Sequence, residues 1–235
     1  MHRSAGWRAV FGTAAVTLAV SGLGTAAASG ASTATAVWLM SETSGTTMTD
    51  SSGYGNNGTT DNVTMTGANG YVFDPAKRSK VVVHDSATLD PGSKTFSYSV
   101  KVKTSRVPAS GTDYDLLRKG VTATTGGEYK IEILNVNGQG RAFCLVKDSQ
   151  GVGASIKGTT NVTDGKVHAL TCTKTASGLT LKVDGLQART KTVTGGLGSI
   201  ANASPVVIGA KTATVTGTAG DWYNGALLDA RISVG

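Results

Sequence analysis

The chain has 235 residues, a formal net charge of +7, only 16% charged residues and 32 glycines. Glycine is about twice as frequent as its usual ~7%, and charged residues fall below their usual ~25%. This composition is typical of short strands joined by tight turns. The basic residues occur as singles or pairs such as Lys77-Arg78, without a basic run interleaved with aromatics. The charge pattern therefore indicates a solvated basic surface and argues against a nucleic-acid partner.

The N-terminus has the pattern of an export signal. Arg3 and Arg8 precede an uncharged apolar run, and Ala26 to Ala28 supply the small residues of a cleavage site. The run is too short and too interrupted to cross ~30 Å of hydrocarbon, which disfavours a membrane anchor. We expect a secreted protein with three parts: a signal peptide over 1–28, a flexible leader over 29–35 and one domain over 36–235.

Alternation of apolar and polar residues predicts an all-β domain. In the clearest strand, over 95–103, Phe96, Tyr98, Val100 and Val102 share one face. Further strands are expected over 36–40, 80–84, 116–117, 128–133, 141–147, 167–173, 179–184, 206–209 and 226–234. Turn-forming residues separate these segments, and none sustains a helical period. About a dozen strands fit an immunoglobulin-like sandwich or a jelly roll, and their number and length favour the jelly roll.

The chain contains two cysteines, Cys144 and Cys172. In an exported protein an even pair favours a disulfide, although two buried thiols remain an alternative. A zinc site is disfavoured because no nearby histidines complete a tetrahedral shell. A disulfide closing this loop would stabilise the fold by about 3 to 4 kcal/mol in the chain-entropy account.

Three segments are arranged as in a known family. They are the opening Trp38 to Gly58, the stretch Val162 to Lys174 with the strand and Asp-Gly turn up to Gly185, and the closing Asp221 to Ile232. Together they resemble secreted LamG-like, concanavalin A-like lectin-glucanase domains of actinobacterial type. The resemblance implies an antiparallel jelly-roll sandwich of two sheets and a strand-to-strand disulfide between the two cysteines. Val167 departs from the pattern, since the family usually has Trp there.

The same fold also occurs in glycoside hydrolases, which place paired acids at alternate positions of one strand, as in Glu-x-Asp-x-Glu. No such run occurs here. The nearest pairs are Asp113 with Asp115 and Glu128 with Glu132, which we expect to be solvated surface acids.

Nucleophilic hydrolysis also lacks its motifs, because no Gly-x-Ser-x-Gly elbow is present. His84 is expected to be exposed at a strand end, and His168 to be a hydrogen-bonded structural histidine on the same strand face as Cys172. We therefore predict no catalytic residue.

A structural calcium ion is the one cofactor that the sequence motivates. Asp50 and Asn56 lie in a Gly- and Asn-rich loop, and the resemblance implies a calcium ligand on the last strand at Asp229. The alternative is that Asp50 caps its own turn and that Asp229 pairs with Arg231.

Exposed aromatic rings beside hydrogen-bonding groups are the usual means of contacting a sugar. The candidates for ligand binding are Tyr54, Asn56, Tyr114, Trp222, Tyr223 and Asn224. For Trp222, as for Trp38, packing in the core is favoured over sugar stacking. We predict a monomeric, non-catalytic, lectin-like domain that binds extracellular polysaccharide or a surface glycan. The alternatives are a divergent glycosidase and a structural or interaction protein without a small ligand.

Overall fold

The computed structural model describes residues 1–2, 32–215, 217 and 220–235. The predicted signal peptide therefore lies outside the described residues, apart from Met1 and His2. Within the described part of the chain, no helix has the length and hydropathy needed to cross a membrane.

The described residues form sixteen strands and three short 3₁₀ turns. The strands are β1 (Thr33–Trp38), β2 (Thr47–Met48), β3 (Gly58–Asp61), β4 (Thr64–Met65), β5 (Tyr71–Phe73), β6 (Lys80–Val83), β7 (Phe96–Lys103), β8 (Asp113–Lys119), β9 (Glu128–Val136), β10 (Gln139–Lys147), β11 (Gly153–Asn161), β12 (Val167–Thr175), β13 (Gly178–Val183), β14 (Leu186–Thr192), β15 (Val206–Ile208) and β16 (Gly225–Val234). The 3₁₀ turns are Gly67–Asn69, Pro75–Lys77 and Ala87–Leu89.

The strands make two antiparallel sheets of eight strands each. Sheet 1 has the order β14-β13-β12-β7-β16-β5-β4, and β1 also pairs with β16. Sheet 2 has the order β11-β10-β9-β8-β15-β6-β3-β2. The two sheets pack face to face, which confirms the predicted all-β sandwich.

The core forms where the inward faces of the two sheets meet. Phe96, Tyr98, Val100 and Val102 alternate as the buried face of β7, as the sequence predicted. From sheet 2, Tyr129 of β9 packs against the first two, and the ring centroids of each pair among these three aromatics are 5.2 Å apart. Burying each such ring contributes about 1.5 to 3 kcal/mol, so this cluster is a main contact between the sheets.

Some strands were not predicted from the sequence. The edge strands β11 and β14 were missed, as were the two- to four-residue strands β2 to β5. An edge strand such as β14 is almost entirely exposed, so its sequence carries no apolar alternation. In β11 the inward position Gly158 has no side chain, and a Cβ there would lie 3.2 Å from Leu181. The first strand also starts earlier than predicted, since Thr33 and Ala34 of the expected leader pair with β16.

The two cysteines form a disulfide, with a Cα–Cα distance of 5.9 Å. We had considered a bridge between adjacent strands, but Cys144 lies on β10 of sheet 2 and Cys172 on β12 of sheet 1. The bond therefore crosses the core and links the sheets. Both residues are buried.

Candidate functional site

Asp50 organises the loop that follows the first strands. Its Oδ1 accepts hydrogen bonds from the backbone N–H of Val37 and of Ser52, both at 2.9 Å. Its Oδ2 accepts from Ser52 Oγ at 2.8 Å and from the Asn56 N–H at 2.9 Å. Burial raises the pKa of Asp50, but these donors outweigh burial and hold the pKa below its ordinary value. Both carboxylate oxygens thus serve the local turn.

Asn56, a candidate for both sugar and calcium binding, is buried and fixes the same loop. Its Nδ2 donates to Thr35 O at 2.7 Å and to Thr88 Oγ1 at 2.9 Å. The backbone carbonyl of Asn56 accepts a 2.7 Å hydrogen bond from the indole N–H of Trp38. Trp38 itself is fully buried, as expected. Hydrogen bonds from these polar groups therefore fix the loop to β1 and position its tip.

Tyr54 stands at that tip with 48% of its surface exposed. A groove of about 470 Å³ opens on one side of it, lined among others by Thr47, Asn57, Thr59, His84, Asp85 and Ser86. A second groove of about 250 Å³ also borders Tyr54 and includes Thr33, Thr35, Thr88 and Lys94. We call these two depressions with the ring between them the Tyr54 groove. The groove presents an exposed aromatic ring beside hydroxyl, amide and charged side chains.

The closing aromatics do not form a comparable surface. Tyr223 is fully buried and its hydroxyl lies 3.2 Å from Lys103 O and 3.1 Å from Ala226 O. Tyr114 packs edge-on against it, with ring centroids 5.8 Å apart. Trp222 is also buried, in a small cluster with Val207 and Ala210. These rings therefore pack inside the protein and are not free to stack on a sugar. For Trp222 the sequence already favoured core packing.

The remaining candidate, Asn224, is half-buried, and its carbonyl accepts a 2.6 Å hydrogen bond from Thr104 Oγ1. It lines a pocket of about 310 Å³ with Ser105 and Arg106. No aromatic residue lines this pocket among the described residues. It thus lacks the ring that the Tyr54 groove provides.

Asp229 is bound by Arg231 rather than placed beside Asp50. Arg231 donates from Nε at 2.8 Å and from a terminal nitrogen at 2.6 Å to the two carboxylate oxygens. On β1, Trp38 pairs with Ala230 on one side and bridges to Asp50 on the other. Asp50 and the Asp229 strand are therefore on opposite sides of β1, and the three predicted calcium ligands are not brought together.

The acids of β8 and β9 differ most from expectation. We predicted solvated surface acids, but Asp115, Glu128 and Glu132 are at most 2% exposed. Arg118 lies among them, 2.6 Å from Asp115 Oδ2, 3.3 Å from Glu128 Oε2 and 3.9 Å from Glu132 Oε1. Near Asp221 the chain lies beside β8, where the Asp115 N–H donates to Asp221 O at 2.9 Å. This long-range contact helps to bury Asp115, while Glu132 pairs with Lys130 and Glu128 lies 3.8 Å from Lys147.

Burial also changes the acidity of this cluster. The pKa of Glu132 is raised to about 8, chiefly by burial and next by the charge of the neighbouring Asp115. Burial, followed by Asp115 and Asp221, raises the pKa of Asp113 to about 6. Such acids can exchange protons near neutral pH, but Glu132 is buried and Asp113 is half-buried, so neither lies on an open surface.

His168 and His84 lie apart from this cluster. His168 is buried, with Nδ1 2.8 Å from Asp184 Oδ2 and Nε2 3.0 Å from Asp164 Oδ1, so it is the hydrogen-bonded histidine that we predicted. His84 is exposed, as expected, and lines the Tyr54 groove. The sequence did not identify His84 as a groove residue, and only its place at a strand end beside a turn hinted at it.

The architecture is that of a concanavalin A-like domain, and the sequence agrees. A family model described as Concanavalin A-like lectin/glucanases superfamily matches residues 75–234, so the chain belongs to this family. No curated protein sequence matches the chain significantly.

Solved structures with this fold share little sequence with the chain. The binding domain of Paraclostridial Mosquitocidal Protein 1 superposes with a TM-score of 0.63 at 16% identity, covering 86% of this chain and 47% of that one. The binding domain of Botulinum Neurotoxin DC in complex with SialylT gives 0.62 at 14% identity, covering 86% and 48%. This chain thus spans about half of those two proteins.

A third structure matches over nearly its whole length. Domain 4 of AbnA, a GH43 extracellular arabinanase from Geobacillus stearothermophilus, in complex with arabinotriose, gives a TM-score of 0.58 at 14% identity. The match covers 87% of this chain and 93% of that one. At these identities the likeness concerns the fold alone.

Proposed function

We propose that this chain is a secreted, non-catalytic recognition domain that binds extracellular carbohydrate in the Tyr54 groove. The observation that carries the proposal is the half-exposed Tyr54 ring between two polar depressions. A sugar ring has apolar C–H faces and many hydroxyls, so it suits an aromatic platform flanked by hydrogen-bonding groups. Asn57 and Ser86 on one side, and Thr88 and Lys94 on the other, supply such groups.

The neighbouring structures support a carbohydrate ligand as the first class to test. One of them holds arabinotriose and another holds SialylT. They are described as a binding domain of a neurotoxin and as domain 4 of an arabinanase. These ligands give the starting panel for this chain, while the Tyr54 groove supplies its own residues for recognition.

The buried acids support the non-catalytic part of the proposal. A retaining glycosidase needs two carboxyl groups in contact with the sugar, about 5 to 5.5 Å apart. Here Asp115 and Glu132 face each other across β8 and β9 but are closed off from solvent and share Arg118. Their arrangement favours a structural role over hydrolysis.

The test is a binding screen of the protein against soluble glycans and insoluble polysaccharides, including arabinotriose and sialylated oligosaccharides. Tyr54→Ala should weaken binding by about tenfold, which corresponds to losing about 1.4 kcal/mol of ring contact. Tyr54→Phe keeps the ring and should bind nearly as well. Leu186→Ala, at an exposed residue of β14, is the matched control.

Three results would overturn the proposal. Equal glycan binding by the parent and by Tyr54→Ala would show that the glycan does not bind in the Tyr54 groove. Release of sugar products in a parallel hydrolysis assay would favour the glycosidase. If no glycan binds, the structural or interaction protein becomes the better account.

Three further expectations remain parts of the proposal. A structural calcium ion bound by Asp50 and Asn56, without Asp229 across β1, predicts weaker binding or a lower Tm when the screen is repeated with a chelator. Export is tested by sequencing the N-terminus of the protein from culture medium, which should begin near Ser29. A monomer is tested by light scattering.

A further inference from the structure

One segment, 84–94, borders the Tyr54 groove on both sides of the ring and is anchored from the core. Its residues line both depressions. Two lysines without exposed surface, Lys119 of β8 and Lys174 of β12, donate to this segment from the protein interior. Lys174 Nζ lies 3.1 Å from Ser93 O. Burying an ammonium group is costly unless it is paired or hydrogen-bonded, so these contacts fix where the segment lies.

Lys119 binds two carboxylates at once. Its Nζ pairs with Asp85 Oδ1 and lies 3.2 Å from Asp90 Oδ1. It also donates to Asn202 O at 2.6 Å and to Ser204 O at 2.8 Å. An ammonium has three N–H donors, so these contacts leave none for a ligand. One positive charge faces two negative charges, and the group as a whole keeps one negative charge.

Asp85 has one oxygen available on the groove side. Its side chain is 37% exposed and lines the larger depression. Lys119 holds Oδ1, whereas Oδ2 accepts no hydrogen bond from any residue that the structure describes. The Asp90 side chain is only 20% exposed, and its Oδ1 also accepts from the Asn202 N–H at 3.2 Å. Asp85 is therefore the acid that a ligand in the groove meets.

We propose that Asp85 selects uncharged sugars for the Tyr54 groove and that Lys119 is its positioning residue. This inference rests on the proposed glycan binding. An ionised carboxylate only accepts hydrogen bonds, and its bonds with hydroxyl groups are about twice as strong as bonds between neutral groups. The same charge disfavours a ligand that carries its own carboxylate or sulfate. Lys94 borders the smaller depression, but it is exposed and its charge is screened by solvent.

The test is titration of the full chain with arabinotriose, which is uncharged, and with sialyllactose, which carries a carboxylate. The parent should bind arabinotriose at least about tenfold more tightly. Asp85→Asn keeps the size of the side chain and removes its charge. It should weaken arabinotriose binding by about tenfold and strengthen sialyllactose binding by about threefold.

These opposite changes separate selection from a fold defect, which would weaken both ligands. Asp61→Asn is the matched control, because Asp61 also pairs with a lysine of sheet 2, Lys80, and its side chain is 49% exposed. It should leave both affinities as in the parent.

Lys119→Met tests the positioning role. It removes the buried ammonium, so the group then carries two negative charges and Asp85 loses its fixed orientation. Arabinotriose should bind several-fold more weakly, and sialyllactose should lose more affinity than arabinotriose. A purely structural role of Lys119 would instead lower both affinities by the same factor.

The inference is wrong if the parent binds sialyllactose as tightly as arabinotriose, if it binds neither, or if Asp85→Asn changes both affinities equally or not at all. Tyr54→Ala distinguishes this failure from that of the proposed function. Weaker arabinotriose binding by Tyr54→Ala with unchanged binding by Asp85→Asn would refute the role of Asp85 alone. Unchanged binding by both variants would show that the sugar does not bind in the groove, and the two proposals would then fail together.

Discussion

Replacing Arg118 by Leu gives the sharpest test of how the outward face of sheet 2 is held together. Arg118 is 3% exposed and is the cation shared by Asp115, Glu128 and Glu132. Its Nε also donates to Gly120 O at 3.0 Å. Leucine preserves much of the volume but leaves the buried carboxylates without their common partner.

Removing one partner of a buried ion pair costs about 3 to 5 kcal/mol, since the remaining charge is left unpaired. We expect a loss of about that size at pH near 7. The loss should shrink toward about pH 5, because Asp115, whose pKa burial already raises, then escapes the penalty by taking up a proton. Glu132, with a pKa of about 8, is already mostly protonated near pH 7.

The measurement is urea unfolding of the parent and the variant over this pH range. Arg231→Ala is the matched control, because Arg231 binds a single carboxylate, Asp229, and its side chain is 45% exposed. An exposed pair of this kind contributes about 0 to 1 kcal/mol. A loss below about 1 kcal/mol for Arg118→Leu, or one independent of pH, would refute the buried ionic cluster.

Three other changes test separate parts of the fold. Glu132→Gln should flatten the pH profile of unfolding: the raised pKa of Glu132 means that the parent loses stability as pH rises from about 4.5 to about 8, and the amide does not ionise. Unequal slopes are the expected result, and parallel profiles would contradict it. Replacing Cys144 and Cys172 together by Ala should cost about 3 to 4 kcal/mol in denaturant unfolding; a cost near zero would contradict a constraining bridge. Hydrogen bonds to Asp184 and Asp164 outweigh burial and raise the pKa of His168, so its contribution is present at about pH 5 and is lost as pH rises through the folded pKa. His168→Gln should therefore destabilise more at about pH 5 than at about pH 8, and equal losses at both would count against it.

The sandwich could be predicted from the sequence because its central strands carry a clean period of two. In β7, apolar Phe96, Tyr98, Val100 and Val102 alternate with Ser and Lys, and only a half-buried strand needs that pattern. The same reasoning placed Cys172 and His168 on one buried face of β12. Which sheet each strand joins was not predictable, because alternation says nothing about a strand's partners. The sequence therefore did not reveal that the disulfide joins the two sheets.

The candidate site was only partly predictable. Tyr54 was identified because an aromatic residue in a Gly-rich polar loop tends to be exposed. The burial of Asp115, Glu128 and Glu132 was not foreseen, because it depends on contacts that alternation does not reveal. Asp115 meets the chain near Asp221, about a hundred positions away, and basic side chains pair with the two glutamates. Local patterns of charge describe such acids as solvated unless this covering is known.

The most direct test of the central claim is NMR of the protein with ¹³C-labelled tyrosine rings, titrated with a glycan identified in the binding screen. The six tyrosines report at once on the groove and on the core. Only the ring signals of Tyr54 should shift on saturation, while buried Tyr71, Tyr98 and Tyr129 stay unchanged. A saturated complex in which Tyr54 does not shift, or in which Tyr114 shifts instead, would contradict glycan recognition in the Tyr54 groove.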